Sequence, residues 1–333
     1  GRFMTRDGTR LSGSDALSEL GLAPLDLSHR DGLALVNGTS AMTGVAVLNA
    51  LRLCRALDWS VALSGAMAEA LAGRQEAWRP TFGKLRPHPG QVWATAMLAG
   101  VCQSAERLDH THLAQGFLSP NCDIKTEPVA AQDAYSIRCA PQVIGAVHDT
   151  ATWFRKVVET ELHAVTDNPV FPEDEGIPAL HGGNFMGAHI ALASDAAANA
   201  ATVLAGFHER QIARITDEKL NGGLPAFLSG GTVGLTSGLM GAQVTATALL
   251  AEMRSSGAAS IHSISTNGAN QDVVSQGTIS ARLMHDKLDL LFKIQAIMAI
   301  AAAQALDLVE KDTSSKKPSS SAQSLRAFVR ETT

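Results

Sequence analysis

Seven residues, Gln132-Asp133-Ala134-Tyr135-Ser136-Ile137-Arg138, set a neutral amide, a phenol and a guanidinium at intervals of three. On a tight helical turn residues three apart share a face, so Gln132, Tyr135 and Arg138 would present their polar heads together. A planar guanidinium grips a carboxylate through two parallel hydrogen bonds, and a phenol beside it can pass a proton. The same pair also serves as a plain loop anchor, bonded to backbone carbonyls. Tyr135 is the only tyrosine among 333 residues. Nothing inside the seven residues decides between site and anchor.

The surrounding elements have to hold such a turn. Pro141 stands where a helix would open. Beyond it Val143, Val147, Ala151, Phe154, Val158, Leu162 and Val165 recur at spacings of three and four, which predicts one long helix with a continuous apolar stripe. Thr166-Asp167-Asn168-Pro169 ends it, since proline disfavours helix at the residue before it. A Pro- and Gly-rich loop over 170–183 leads to His181-Gly182-Gly183-Asn184-Phe185 and a second long helix, 186–216, whose alanine-rich middle allows close helix approach. A third helix is expected over 237–256. A polar loop, Ser265 to Asp272, precedes a fourth over 273–310.

Earlier in the chain, Arg6-Asp7-Gly8 reads as a hairpin turn, and Ser12-Gly13-Ser14-Asp15 as the cap of a short helix. Asn37-Gly38-Thr39 interrupts an apolar sequence. It reads either as a helix start with Asn37 or Thr39 as N-cap, or as an amide turned toward a cavity. Helix patterns follow near 60–78 and 92–110, split by Arg86-Pro87-His88-Pro89-Gly90. Residues 311–323 are low in complexity and are read as a mobile linker, with a short helix over 324–331. The expected fold class is therefore all-α. It is a bundle of long, near-parallel and antiparallel helices with a small irregular N-terminal region, and the division falls at 310/311. Helix ends in such a bundle collect polar groups, and each break here carries Asn, Gln or Tyr.

Composition narrows the function. Apolar residues make up 45% and charged residues 18%, which suits packed helices. The net charge of −5 comes without a basic stripe, so neither nucleic acid nor anionic membrane is an expected partner. The longest uncharged apolar run, between Lys293 and Asp307, falls short of the roughly 20 residues that span a bilayer. Cys54, Cys102, Cys122 and Cys139 are scattered, without metal-ligand spacing, and are expected to be free thiols in a reducing cytoplasm. No signal peptide is read at the start of the chain.

Five motifs occur in a fixed order: Leu33-Ala34-Leu35-Val36-Asn37-Gly38-Thr39, Gln132 to Cys139, Val165-Thr166-Asp167-Asn168-Pro169, Gly182-Gly183-Asn184-Phe185 and Ala269-Asn270-Gln271-Asp272. In that order they resemble the aromatic amino acid ammonia-lyases, the histidine, phenylalanine and tyrosine enzymes and the related aminomutases. Asp26-Leu27-Ser28-His29-Arg30-Asp31 and Ser263-Ile264-Ser265-Thr266-Asn267 are most similar to bacterial tyrosine ammonia-lyases. The resemblance implies an almost all-helical homotetramer with shared sites that removes ammonia from an aromatic α-amino acid, a carbon–nitrogen lyase.

The same resemblance implies the site. Its electrophile would be a 4-methylidene-imidazole-5-one ring closed from Ala-Ser-Gly. That tripeptide is absent from the 333 residues, so the chain is read as a lyase core, 1–310, without the electrophile-bearing segment. It is also read as lacking the loop that brings a second tyrosine. Arg138 would clamp the carboxylate with help from Asn184. Tyr135 would move a proton, Asn37 would hydrogen-bond the electrophile, and Phe185 would pack on its face. Gln132, Asn270 and Gln271 would line the pocket. Histidine-specific members tend to carry Glu where this chain has Gln271, so a phenol or phenyl ring is expected over imidazole. No metal is expected. The rivals are a tyrosine or phenylalanine 2,3-aminomutase, a histidine ammonia-lyase, and an inert helical scaffold.

Overall fold

The computed structural model describes residues 2–28, 31–109, 132–173, 175–232, 234–311 and 316–332. Cys122 and the motif residues His29 and Arg30 lie outside them. Two compact units divide the chain, residues 1–40 with 165–185 and residues 41–164 with 186–333.

In the first unit, strands β1 (Arg2–Met4) and β2 (Arg10–Ser12) pair antiparallel around the expected Arg6-Asp7-Gly8 turn. Helix α1 (Gly13–Glu19) is capped as its sequence requires, the Asp15 N–H donating to Ser12 Oγ at 3.2 Å. Helix α2 (Asp31–Asn37) ends on Asn37, so Asn37 is no N-cap, whereas the next helix starts at Ser40, directly after Thr39, as the helix-start reading expected. Gly38 lies where the two helices meet. A Cβ there would stand 3.2 Å from both the carbonyl oxygen and the hydroxyl of Thr166, and the buried Thr39 donates its N–H to Thr166 Oγ1 at 3.3 Å.

The second unit is a helical bundle. Helix α3 (Ser40–Ala70) runs unbroken where the sequence patterns implied two segments. A 3-10 turn (Gln75–Trp78), α4 (Pro80–Leu85) and α5 (Pro89–Val101) follow, then a single turn α6 (Tyr135–Arg138) and α7 (Ala140–Leu162). The long helices are α8 (Ala188–Thr216), α9 (Met240–Ser255) and α10 (Gly277–Glu310), with α11 (Ser320–Thr332) last. The α7 stripe is buried from Val147 to Val158, whereas Leu162 and Val165 are exposed because the helix stops at Leu162.

Alanines let the central helices close. Ala193, Ala197, Ala201 and Ala205 of α8 and Ala301, Ala302, Ala303 and Ala305 of α10 have no more than a trace of exposed surface, and the two helices pack extensively against each other. Helix α3 runs parallel to α10, as Asn49 donates to the Ala281 carbonyl at 2.7 Å and Gln295 to the Ala56 carbonyl at 2.7 Å. Where α5 meets α7, a Cβ on Gly145 would lie 2.5 Å from the Gln91 nitrogen, so only glycine admits this backbone contact. Both α8 and α10 are long and apolar enough to cross a membrane by length and composition, which corrects the short-run estimate made from the sequence. Each nevertheless buries polar side chains, His208, Glu209 and Gln211 on one and Lys287 and Gln295 on the other.

The C-terminal helix starts earlier than its sequence suggested. Ser320 to Gln323 are helical because Ser319 is bound at their head. Buried Glu69 accepts from the Ser319 N–H and hydroxyl, both at 2.6 Å, and Ser319 Oγ accepts from the Ala322 N–H at 3.1 Å. Burial pushes the Glu69 carboxyl above its ordinary range, against these hydrogen bonds. Ser319→Ala removes a helix cap and a donor to a buried carboxyl, and is expected to cost about 1–2 kcal/mol. Denaturant unfolding at constant m-value measures it, and an unchanged midpoint would contradict it.

Candidate functional site

The Tyr135–Arg138 turn is held from behind. Ile137 is buried, and its carbonyl accepts from Trp78 Nε1 at 3.1 Å, the indole itself being buried. The Ser136 carbonyl accepts from Gln211 Nε2 of α8 at 3.0 Å. Ahead of the turn, Asp133 Oδ2 accepts from the Arg74 N–H at 2.6 Å. Within the turn the Arg138 N–H reaches the Ala134 carbonyl at 3.0 Å and the Cys139 N–H reaches Tyr135 at 3.0 Å. The anchors are thus Asp133, Trp78 and Gln211.

Tyr135 and Arg138 anchor nothing. The phenol is 71% exposed, and the guanidinium carbon lies 4.7 Å from its ring centroid in a cation–π contact. Arg138 Nε is buried and without a hydrogen-bond partner. Among the described residues neither head group meets a backbone carbonyl or an ion-pair partner, so the anchor reading loses its basis. Gln132 departs from expectation. The helical turn begins only at Tyr135, leaving Gln132 in the preceding bend, exposed and off the shared face.

The 265–272 loop belongs to the same unit. Thr266 and Gln271 bridge antiparallel, the Thr266 N–H donating at 2.9 Å and the Gln271 N–H at 3.3 Å. Between them Asn267, Gly268 and Ala269 take left-handed φ of 51°, 61° and 65°, tolerable for Asn and Gly and strained for Ala. Asn270 and Gln271 end on the surface, and Gln271 Oε1 accepts from the Thr266 hydroxyl at 2.7 Å. Two buried charges fix the segment leading here. Lys287 Nζ donates to the Ser256 carbonyl at 3.0 Å, and Asp195 Oδ2 accepts from the Ser260 N–H at 2.8 Å. Burial pulls the Lys287 ammonium below its ordinary pKa, opposed by the Asp195 charge.

The first unit gathers the remaining candidates. Asn184 Nδ2 donates to the Val165 carbonyl at 3.1 Å, so one of its donors is committed to the backbone. Asn168 Oδ1 accepts from the Gly182 N–H at 2.7 Å, and Val170 and Leu180 bridge antiparallel. These bonds fold 180–185 onto 165–170, while Gly38 and Thr39 rest on Thr166. Asn37, Asn184 and Phe185 are thereby gathered around one short segment, and all three are exposed, Phe185 to 37%. The Asn37 amide has no partner among the described residues.

Sequence reasoning missed Trp78, Gln211, His208, Asp195 and Lys287. A signal existed for the α8 pair: His208 and Gln211 stand three apart on the face that carries Leu204, Ala205 and Ile215 inward, where polar residues need an explanation. Cys54, Cys102 and Cys139 are free thiols. Among the described residues no cluster of His, Cys, Asp and Glu could hold a metal.

Comparison with known proteins identifies the family. The family model described as aromatic amino acid lyase matches residues 1–331. A tyrosine ammonia-lyase of Cereibacter sphaeroides is 61% identical over 309 residues, covering 92% of this chain and 59% of that protein. An MIO-dependent tyrosine 2,3-aminomutase of Streptomyces globisporus is 40% identical, covering 92% and 57%. The crystal structure of a tyrosine aminomutase from the same organism superposes with a TM-score of 0.90 at 37% identity, over 99% of this chain and 63% of that one. The chain thus spans about three-fifths of the length of these relatives.

Proposed function

The chain belongs to the aromatic amino acid lyase family, and from that premise we propose that it supplies the substrate-binding part of a tyrosine ammonia-lyase. In that reaction L-tyrosine loses its amino group as ammonia and one β-hydrogen as a proton. The Cα–N bond breaks, a Cα=Cβ bond forms, and p-coumarate leaves. Phenylalanine is a second substrate of the same reading. The observation that carries it is the Tyr135–Arg138 turn, whose backbone is held from behind while its stacked phenol and guanidinium have no hydrogen-bond or ion-pair partner among the described residues.

The chemistry assigns the roles. A β-hydrogen of low acidity and a poor leaving group demand that the substrate be fixed before a proton moves. Arg138 holds the carboxylate bidentately, and Asn184 is assigned to assist through its spare donor. The Tyr135 phenol takes part in the proton transfer. Gln132, Asn270 and Gln271 line the ring pocket.

The family's electrophile, the 4-methylidene-imidazole-5-one ring (MIO) on which the Streptomyces globisporus aminomutase depends, closes from Ala-Ser-Gly, which the 333 residues do not contain. The residues present suit such a ring. The Asn37 amide, without a partner among the described residues, offers a donor to its carbonyl, and the exposed face of Phe185 offers a packing surface. When bound, the group supplies an electrophile that turns the substrate nitrogen into a better leaving group. The proposal includes a cytoplasmic homotetramer with shared sites, supported by apolar side chains left exposed on helices, among them Leu48, Leu51, Leu192, Val203 and Val244.

Incubating the native protein with L-tyrosine and separating the products tests the reading. p-Coumarate with stoichiometric ammonia supports it. β-Tyrosine would favour the aminomutase reaction of the 40%-identical relative, and no turnover would favour a scaffold.

Gln271→Glu probes the ring pocket. A carboxylate still accepts from Thr266, so the loop should keep its shape and the melting midpoint should hold. Facing an apolar ring the charge is poorly compensated, and kcat/KM for tyrosine and phenylalanine should fall about tenfold while histidine gains. A uniform loss that tracks stability would remove Gln271 from specificity.

A further inference from the structure

A chain of buried polar side chains runs from the centre of the bundle to the Tyr135–Arg138 turn. Gln295 Nε2 of α10 donates to the Ala56 carbonyl at 2.7 Å and to Ser60 Oγ at 3.0 Å. Ser60 Oγ lies 2.8 Å from His208 Nε2, and His208 Nδ1 lies 2.8 Å from Gln211 Oε1. Gln211 Nε2 then reaches Ser64 Oγ at 3.0 Å and the Ser136 carbonyl at 3.0 Å. His208 has no exposed surface, Gln211 1% and Ser60 none.

One end of the chain dictates the rest. A backbone carbonyl only accepts, so the amide nitrogen of Gln211 must face Ser136 and its oxygen must face His208. His208 Nδ1 therefore carries the proton and Nε2 is bare, facing the Ser60 hydroxyl, whose single proton is shared between Nε2 at 2.8 Å and the Ala56 carbonyl at 2.6 Å. Ala56, another carbonyl, fixes the Gln295 amide in the same way. The Nδ1–H tautomer is the one that satisfies the bonds from Ser136 through Gln211 to His208.

The Ser136 and Ile137 carbonyls lie at the C-terminal end of a helix only one turn long, where carbonyls lack partners in the next turn. Trp78 takes one and Gln211 the other. A four-residue helix has no cooperative stability of its own, so these two side chains set its orientation.

We propose that Gln211, oriented by His208, is a positioning residue that fixes the Tyr135–Arg138 turn through the Ser136 carbonyl and so aims the phenol and guanidinium at the substrate. The inference rests on the tyrosine ammonia-lyase reading for its kinetic consequence. Its structural consequence is independent of that reading.

Two variants of the native protein test it. Gln211→Glu keeps the acceptor for His208 and loses the donors to Ser136 and Ser64, of which only the Ser64 hydroxyl can turn round and donate instead. Gln211→Met is neutral and of similar length, should a buried carboxylate unfold the protein. We expect kcat to fall at least tenfold in either variant, with the amides of Arg138 and Cys139 exchanging hydrogen at least tenfold faster and the rest of α8 unchanged. In an Arg138→Lys background the same change should cost less than threefold, because both act through one turn. Unchanged exchange at Arg138 and Cys139 in a folded variant would overturn the proposal. So would a uniform rise in exchange across the bundle, or an undiminished penalty in the Arg138→Lys background. Local exchange without any turnover by the unsubstituted protein would support the positioning role and refute the lyase reading alone.

Discussion

Replacing Arg138 with lysine is expected to lower kcat/KM on tyrosine by about 2 kcal/mol or more, roughly 30-fold, while the melting midpoint stays in place. Among the described residues the guanidinium has no hydrogen-bond or ion-pair partner. It stacks on Tyr135 at 4.7 Å, and its Nε is buried without a partner. A carboxylate arriving from solution would meet a planar fork already oriented by the ring beneath it. Lysine keeps the charge but offers a rotating point donor on a flexible stem, so the second hydrogen bond and the stacking are both lost. Steady-state kinetics beside a thermal melt check this. Unaltered kinetics would make Arg138 a structural arginine and remove the carboxylate clamp. A fall in melting temperature equal to that of a core substitution would do the same.

The protein should also lose about 3 kcal/mol of stability between pH 6.5 and pH 4 through His208 alone. Complete burial lowers the pKa of this imidazole to about 4, the hydrogen bond with Gln211 opposing only in part. Unfolded, it titrates near 6.5. Because the folded value is depressed, the stabilisation is fully present above pH 6.5 and drains away as pH falls toward 4, where the unfolded chain takes up a proton that the fold refuses. His208→Gln retains a donor and an acceptor in place of the ring and cannot titrate. Its unfolding free energy should therefore follow a shallower pH course, with the curves diverging below pH 6.5. Parallel curves in denaturant titrations at pH 7, 5.5 and 4 would show that the charged ring is accommodated after all, with Ser60 turned to accept from it.

The sequence by itself determined the helices with strong periodicity and the ends marked by proline or a capping residue. Pro141 opens α7, Ser12 caps α1, and the stripe from Val147 to Val158 faces the core, because apolar periodicity and capping act within a few residues. It also determined the motif order that marks the family, since a family's polar residues sit at breaks any reader can see. Boundaries set by distant contacts were out of reach. Ser320 to Gln323 look like linker, and become helix because Glu69, some 250 residues earlier, binds Ser319. Asn37 and Thr39 look like equal candidates for a cap; the helix starts after Thr39, and Asn37 closes α2, with Gly38 packed against Thr166. Spacing put Gln132 on a face with Tyr135 and Arg138, but the turn begins at Tyr135, where Trp78 and Gln211 hold the carbonyls of the residues that follow. Whether Tyr135 and Arg138 anchor a loop or stand free was a tertiary question throughout. Its answer depends on which other side chains take the carbonyls, and a buried hydrogen bond between residues 75 positions apart leaves no local trace in the sequence.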